Sequence, residues 1–406
     1  MAVKLRPIPL GLTYDDVLLV PRKSDIRSRS QVVTRTNVSR NITIAIPFVS
    51  SNIDTVTESE MAIAMAKLGG IGMIHRFMTI EREVEKVKRV KRSEGFVMGT
   101  PFTLGPDTTA KEAKVMMKKH QVSSAVIVGA QNKILGLVSE RDMWFLEDDS
   151  VPVSKLMTPA RDLITAGTNV SLAEARKLFR THKVEKLPLV GTGGVLEGLI
   201  TSRTVLNEDI YPRATKDSKG RLRVGAAVGV VDDYEERAQE LIKAGADIIV
   251  ADIAHIHSVH GLAAIKRLRK ICDRVDLVVG NIATPEAARD VARLDCDGVK
   301  VGIGPGGICI TRIVAGAGYP QFSAIRECAP VLHAAKIPLI ADGGTNYSGD
   351  MSKALAAGAS CMMIAGWLAG TDESPGAIIY RKGQKYKVHR RAASFSAVAS
   401  RKIAGL

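Results

Sequence analysis

An α/β protein built as a (β/α)8 barrel, with a smaller unit inserted into it, is the fold class this sequence predicts. Three observations lead there. Short apolar runs ending in polar or glycine residues recur at 46–52 (IPFVSSN), 70–75 (GIGMIH), 223–229 (RVGAAVG), 247–252 (DIIVAD), 277–281 (LVVGN), 298–302 (GVKVG), 337–344 (IPLIADGG) and 361–366 (CMMIAG). Most are separated by helical patterns such as EERAQELIKAGA, PEAARDVARLD and SGDMSKALAAGA. Strands alternating with helices in this way build parallel βαβ units, and eight of them close a barrel. The composition agrees: 46% hydrophobic residues with only 4% aromatic and 36 glycines suits short strands buried on both faces. A doubly wound sheet accommodates the same alternation, but no GxGxxG follows the first strand, which weakens its dinucleotide-binding form.

In chain order, residues 1–94 supply the first part of the barrel, with two strands. A repeat follows. TLGPDTTAKEAKVMMKKHQVSSAVIV with ILGLVSERDM (103–143) is echoed by TAGTNVSLAEARKLFRTHKVEKLPLV with LEGLITSRTV (165–205), which puts Glu112 and Glu174, His120 and His182, and Gly136 and Gly198 in register. Each copy reads as a Thr- or Ser-capped helix, an apolar strand, a turn, a second strand and a new helix. Two copies (about 97–157 and 158–210) make one compact inserted unit, 95–210, where a solenoid would need at least three. Residues 211–406 complete the barrel and end in a basic segment.

The formal charge is +15 in 406 residues. Eight Lys or Arg and no acid lie from Ala377 onward, so over half of the excess is terminal. Such a segment reads as a solvated extension, and nucleic acid is not the expected partner. No apolar run reaches the roughly 18 residues a membrane span needs, and the cytoplasm is the default compartment. The cysteines (272, 296, 309, 328, 361) form no CxxC pair. Four read as small core residues.

Barrel chemistry gathers at the carboxyl ends of strands. Here those ends carry Asn52, Asp54, His75, Asp252, Asn281, the loop GIGPGGICITRIVAGAGYPQ, Asp342 and Gly366. In the loop, Gly302, Gly304, Gly306 and Gly307 let the backbone turn so that its polar groups point at a ligand, and a thiol among such dipoles becomes a nucleophile. The rival reading of Cys309 is a buried cysteine in a tight turn. Asp342 suits a ribose diol because an ionised carboxylate only accepts hydrogen bonds, with capping of the next helix as its rival role. The His255, His257 and His260 spacing in HIHSVH lacks the further ligand type a zinc site wants.

SSNIDTVTESEMAIAMAKLGGIGMIHRFM, DIAHIHS, GNIAT, VGIGPGGICITRIVAGAGYPQ, ADGGTNYSGDMSKALAAGAS and LAGTDESPG together resemble the IMP dehydrogenase/GMP reductase family, from about Leu12 to Lys387. The repeat resembles the paired CBS module of most IMP dehydrogenases. The resemblance implies attack of the Cys309 sulfur on C2 of a purine nucleotide, hydride transfer from C2 to NAD, and hydrolysis of the covalent thioimidate to XMP. It assigns Thr311 to positioning the water, and Asp342 to the ribose. Gly307, Gly343, Gly344, Ala365 and Gly366 go to the phosphate side, and Ser51 and Ile53 to the nucleotide pocket. Asp252, Asn281, Gly302 and Gly304 fall to the cofactor. Main-chain carbonyls of Gly304, Gly306 and Cys309 would surround a monovalent cation such as K+. Ser139 and Asp142 would contact an adenine nucleotide in the CBS pair, with Thr201 and Thr204 marking a degraded second site, and a purely structural or oligomer-forming module is the rival. A homotetramer is implied as well.

The chain also departs from the family pattern. Gly307 and Gly366 stand where IMP dehydrogenases have serines, and GMP reductases share the second change. KVHRRAASFSAV occupies the place of a Tyr-Arg-Gly-Met-Gly-Ser segment, with Arg391, Ala392 and Ala393 for Gly, Met and Gly. No flap with the Arg-Tyr pair of IMP dehydrogenases precedes Leu406, nor the glutamate of GMP reductases, so no base for hydrolysis can be named from the sequence. NAD-dependent oxidation of IMP is the leading expectation, favoured by DTVTE and the insert. NADPH-dependent deamination of GMP, favoured by GYPQFSAI and Gly366, and a catalytically impaired nucleotide-binding regulator are the alternatives.

Overall fold

A computed structural model describes residues 9–93, 101–120 and 122–390. The altered segment at Arg391, Ala392 and Ala393 lies outside them. The chain divides into two compact units, one of residues 1–93, 213–217 and 222–406, the other of 94–212 and 218–221.

In the first unit the apolar runs form one closed parallel barrel: β1 (Phe48–Ser50), β2 (Ile71–Ile74), β3 (Gly225–Val228), β4 (Ile248–Asp252), β5 (Asp276–Ile282), β6 (Gly298–Val301), β7 (Leu339–Asp342) and β8 (Cys361–Ile364). Met363 opposite Val49 joins β8 to β1, and Met73 opposite Gly225 joins strands from either side of the insertion. A doubly wound sheet would leave two open edges; this one has none.

Period-two alternation splits each strand between two cores. Val49, Ile71, Met73, Ile248, Val250, Val278, Ile340, Cys361 and Met363 fill the interior, while Ala226, Val228, Ile249, Leu277 and Leu339 face helix residues such as Ala238, Leu241, Ile265 and Leu268. Each buried aliphatic side chain contributes about 1.5–3 kcal/mol relative to exposure.

A hairpin that no apolar pattern announces, Thr36–Ser39 with Ile42–Ile44, adds Val38, Ile42 and Ile44 to the interior cluster. It docks at the strands' amino ends. Thr36 Oγ1 donates to Ser360 O at 2.9 Å, Arg40 N to Asp297 O at 2.8 Å, and Asn41 Nδ2 to Asp276 Oδ1 at 2.8 Å. With that mouth closed, the carboxyl mouth remains for chemistry. A second hairpin, Ile378–Arg381 with Gln384–Lys387, turns through Lys382 and Gly383 at φ 50° and 75°, the positive pair a tight hairpin requires. It returns the chain so that Val388 N donates to Ala377 O at 2.9 Å.

The second unit holds both sequence copies. The first has a four-stranded sheet (Thr103–Leu104, Ser124–Val128, Ile134–Ser139, Thr158–Pro159) and the helix Ala110–His120; the second has the pair Lys186–Val190 and Leu196–Thr201 with helices Leu172–His182 and Ser202–Ile210. The in-register glutamates are capping-box partners: Glu112 Oε2 accepts from Thr109 N, and Glu174 Oε2 from Ser171 N, both at 2.9 Å. One expectation fails here. The first copy's closing helix is only a four-residue 3-10 turn, Glu140–Met143. The stretch that follows, FLEDDSVP, has no helical apolar spacing to propagate it. No helix among the described residues is long and apolar enough to cross a membrane.

Candidate active site

The carboxyl mouth of the barrel holds a cavity of about 430 Å³, within the usual range for ligand pockets. Ser51, Ile53, Asp252, Asn281, Gly302, Gly304, Gly306, Gly307, Cys309, Thr311, Asp342, Gly343, Gly344, Ala365 and Gly366 all line it. Ser139 and Asp142 belong to the other unit, where Asp142 Oδ2 accepts from Ser139 N at 2.7 Å and Ser139 Oγ at 2.8 Å.

Three strand ends are tied together beneath the cavity. Lys300, 2% exposed, projects from β6 and donates to Asp252 at the end of β4 and, at 3.2 Å, to Asp342 at the end of β7. Burial alone would lower the amine's pKa, but the two carboxylates hold it above the usual lysine range. Asn281 from β5 donates through Nδ2 to Gly302 O at 2.6 Å and Asp342 Oδ2 at 2.9 Å. Its Oδ1 is buried without a partner. Gly302 is required here, since a Cβ would lie 2.0 Å from the Asp342 carbonyl oxygen.

Asp342 therefore offers its Oδ2 to Asn281 and Lys300, while Oδ1 makes no hydrogen bond among the described residues. It does not cap the next helix. Ser348–Ala357 is capped instead by Asp350 Oδ2, which accepts from Asn346 N and Tyr347 N at 2.9 Å. Gly343, at φ 90°, turns the chain sharply after β7, and a Cβ there would meet Gly306 N at 3.1 Å. At Gly307 and Gly366 nothing lies within 4 Å of an added Cβ, so both positions have room for the missing serines.

The cysteine loop closes on itself. Cys309 N donates to Gly306 O at 2.9 Å, and the Sγ–H donates to Thr311 Oγ1 at 3.3 Å, at the start of the short helix Thr311–Val314. Cys309 is partly exposed, whereas Cys272, Cys296, Cys328 and Cys361 are buried. Burial pushes the Cys272, Cys296 and Cys328 thiols up to about 12 and Cys361 higher still, so those four stay protonated and inert. The buried-turn reading of Cys309 is thus not what the geometry shows.

Two lining residues were not readable as such. Lys300 sits in an apolar strand run, and His389 lies in the basic terminal segment. Of the histidine cluster, His257 Nε2 pairs with Asp290 Oδ2 at 2.9 Å, and His255 packs edge-on to it.

Fold and site together define a parallel barrel carrying a partly exposed thiol and a free carboxylate oxygen over a nucleotide-sized cavity. The family model for the IMP dehydrogenase / GMP reductase domain matches residues 11–404. The chain is 47% identical over 392 residues to the inosine-5'-monophosphate dehydrogenase of Nitrosopumilus maritimus, covering 97% of this chain and 82% of that one. It is 44% identical over 406 residues to the GMP reductase of Leishmania donovani, covering 98% and 82%. Among solved structures, a cysteine-to-alanine variant of GMP reductase from Trypanosoma brucei, in complex with guanosine 5'-monophosphate, superposes with a TM-score of 0.91 at 43% identity, covering 98% of this chain and 84% of that one. The chain belongs to the IMP dehydrogenase/GMP reductase family.

Proposed function

We propose that the chain oxidises IMP to XMP with NAD, through a covalent bond between Cys309 Sγ and purine C2. The observation that carries this reading is the partly exposed Cys309 thiol in a cavity it shares with Thr311, Asp342 and the glycine turns. The Asp342 Oδ1 atom suits the ribose hydroxyls, and the main-chain N–H groups at Gly343, Gly344 and Gly366 suit the phosphate. Sγ bonds to C2, and the C2 hydride must then leave. NAD supplies the acceptor for that hydride.

The cofactor fits the donors and acceptors present. The buried, unpartnered Asn281 Oδ1 can accept an amide or hydroxyl hydrogen, and Asp252 is fixed by Lys300 at the cavity wall. A monovalent cation fits too: the carbonyls of Gly304, Gly306 and Cys309 are neutral, hard donors, and Gly306 O keeps a second lone pair beside the one Cys309 N occupies. In the inserted unit, Ser139 and Asp142 would contact an adenine nucleotide, with a purely structural or oligomer-forming module as the rival. Binding would have to exchange their mutual hydrogen bonds for ligand ones.

Gly366 and the GMP reductase relatives favour a second reading, NADPH-dependent deamination of GMP at the same sulfur. Assays of IMP with NAD and of GMP with NADPH separate the two. NADH formed from IMP is the expected result; NADPH loss with ammonia release from GMP alone contradicts the leading reading.

A further inference from the structure

We infer that His389 takes the proton of the hydrolytic water when the adduct on Cys309 is cleaved, an inference that rests on the covalent IMP reading above. Water attacks a thioimidate carbon slowly unless a base within reach accepts its proton. The carboxylates lining the cavity, and Asp54, next in sequence to the lining residue Ile53, are each paired with a cation. Asp252 and Asp342 share the Lys300 ammonium, and Asp54 accepts from Arg390 Nη2 at 2.9 Å. A carboxylate held by a cation is a poor base.

His389 is the one imidazole lining the cavity among the described residues. The hairpin Ile378–Arg381 with Gln384–Lys387 delivers it there. Gly376 lets the returning strand pack closely, since a Cβ would lie 2.5 Å from Val388 O. Nδ1 lies 3.0 Å from the buried Thr55 Oγ1. In the tautomer where Nδ1–H donates to that hydroxyl, Nε2 carries the lone pair, and it makes no hydrogen bond among the described residues. Asp54, paired with Arg390, is the charge that acts on the ring from the Thr55 side, and Asp252, Lys300, Asp342 and Cys309 line the same cavity. Burial holds the imidazole below its ordinary pKa, against an upward pull from Asp54, so it is neutral and able to accept a proton near pH 7. Where the family resemblance places a tyrosine, this chain therefore carries a base.

The step balances as follows. The water oxygen bonds to C2, one water proton passes to Nε2, and the C2=N3 electron pair moves to N3. The C2–Sγ bond then breaks with its pair on sulfur as the C2 carbonyl forms. The imidazole returns its proton to N3, and the remaining hydroxyl proton ends on the thiolate.

The test is rapid mixing of the full chain with IMP and NAD, following the NADH burst, steady-state turnover and the mass of Cys309. For His389→Gln we expect the burst to survive, steady-state kcat to fall by about 100- to 10,000-fold, and adduct to accumulate. The acid limb of the kcat–pH profile, set below the usual imidazole value, is expected to vanish. Thr55→Val, which frees the ring, is expected to keep the burst and lower kcat less. Unchanged kcat and pH profile in His389→Gln overturn the inference alone. Loss of the burst together with turnover in that variant places the ring in binding or folding, and also overturns it. Absence of a burst in the unsubstituted chain removes the covalent reading itself, and the inference with it.

Discussion

Inside the barrel mouth, the Lys300 ammonium is the only cation lying between Asp252 and Asp342 among the described residues. Removing one member of a buried ion pair leaves the others uncompensated, at about 3–5 kcal/mol. Lys300→Met is therefore expected to lower thermal stability and to raise KM for both nucleotide and dinucleotide, because one amine orients a carboxylate on each side. A rise in only one KM would show that the two carboxylates are not held in common. Lys300 was hidden in the sequence for a physical reason. In GVKVG a lysine reads as a solvent-facing strand position, but Gly280 on the adjacent strand makes room for it inside, since a Cβ there would stand 2.5 Å from Lys300 Cβ. His389 was hidden by the basic hairpin before it, whose nine exposed residues, 378–386, read as solvated. That Cys309, Asp342 and the glycine turns line one cavity was readable, because the carboxyl ends of barrel strands converge there and sharp turns demand glycine.

Secondary-structure elements show the same division. Strands buried on both faces are written as apolar runs, so all eight could be placed within a few residues. The hairpin Thr36–Ser39 with Ile42–Ile44 could not, because strands of four and three residues are too short to show a period and its role depends on partners far along the chain. One element joint makes a pH prediction. Glu58 precedes the helix Ser59–Lys67 and meets His75 at the end of β2 and Lys86 on the helix Ile80–Ser93. Burial pushes its carboxyl up, but the Lys86 ammonium paired with it and the His75 ring 3.6 Å away outweigh this and bring it down from 4.5 to about 2. A carboxyl depressed on folding adds stability above its unfolded pKa and loses it as pH falls towards the folded value. Glu58→Gln is thus expected to destabilise the chain at neutral pH and to flatten the loss of melting temperature between pH 4.5 and about 2. A slope identical to that of the unsubstituted chain would contradict it.

For the molecule as a whole, the barrel acts as a frame that closes its amino mouth with a hairpin and collects chemistry at the other. Residues from seven of the eight strand ends meet at one cavity although the chain leaves the barrel after β2 and re-enters at β3. The register of the repeat places an inserted unit at 95–210, and the second compact unit comprises 94–212 and 218–221. What it binds could not, since Ser139 and Asp142 serve equally as a local cap. Choice between IMP and GMP was likewise beyond the sequence, because both proposed reactions would use the same sulfur and the same purine carbon.

The measurement that tests the central claim most directly is the mass of the chain after incubation with IMP and NAD, with the modified residue located by peptide mapping. One nucleotide bound covalently at Cys309, and none together with no turnover in Cys309→Ala, is the predicted result. An unmodified Cys309 under saturating ligand, or turnover that survives the alanine substitution, would contradict it.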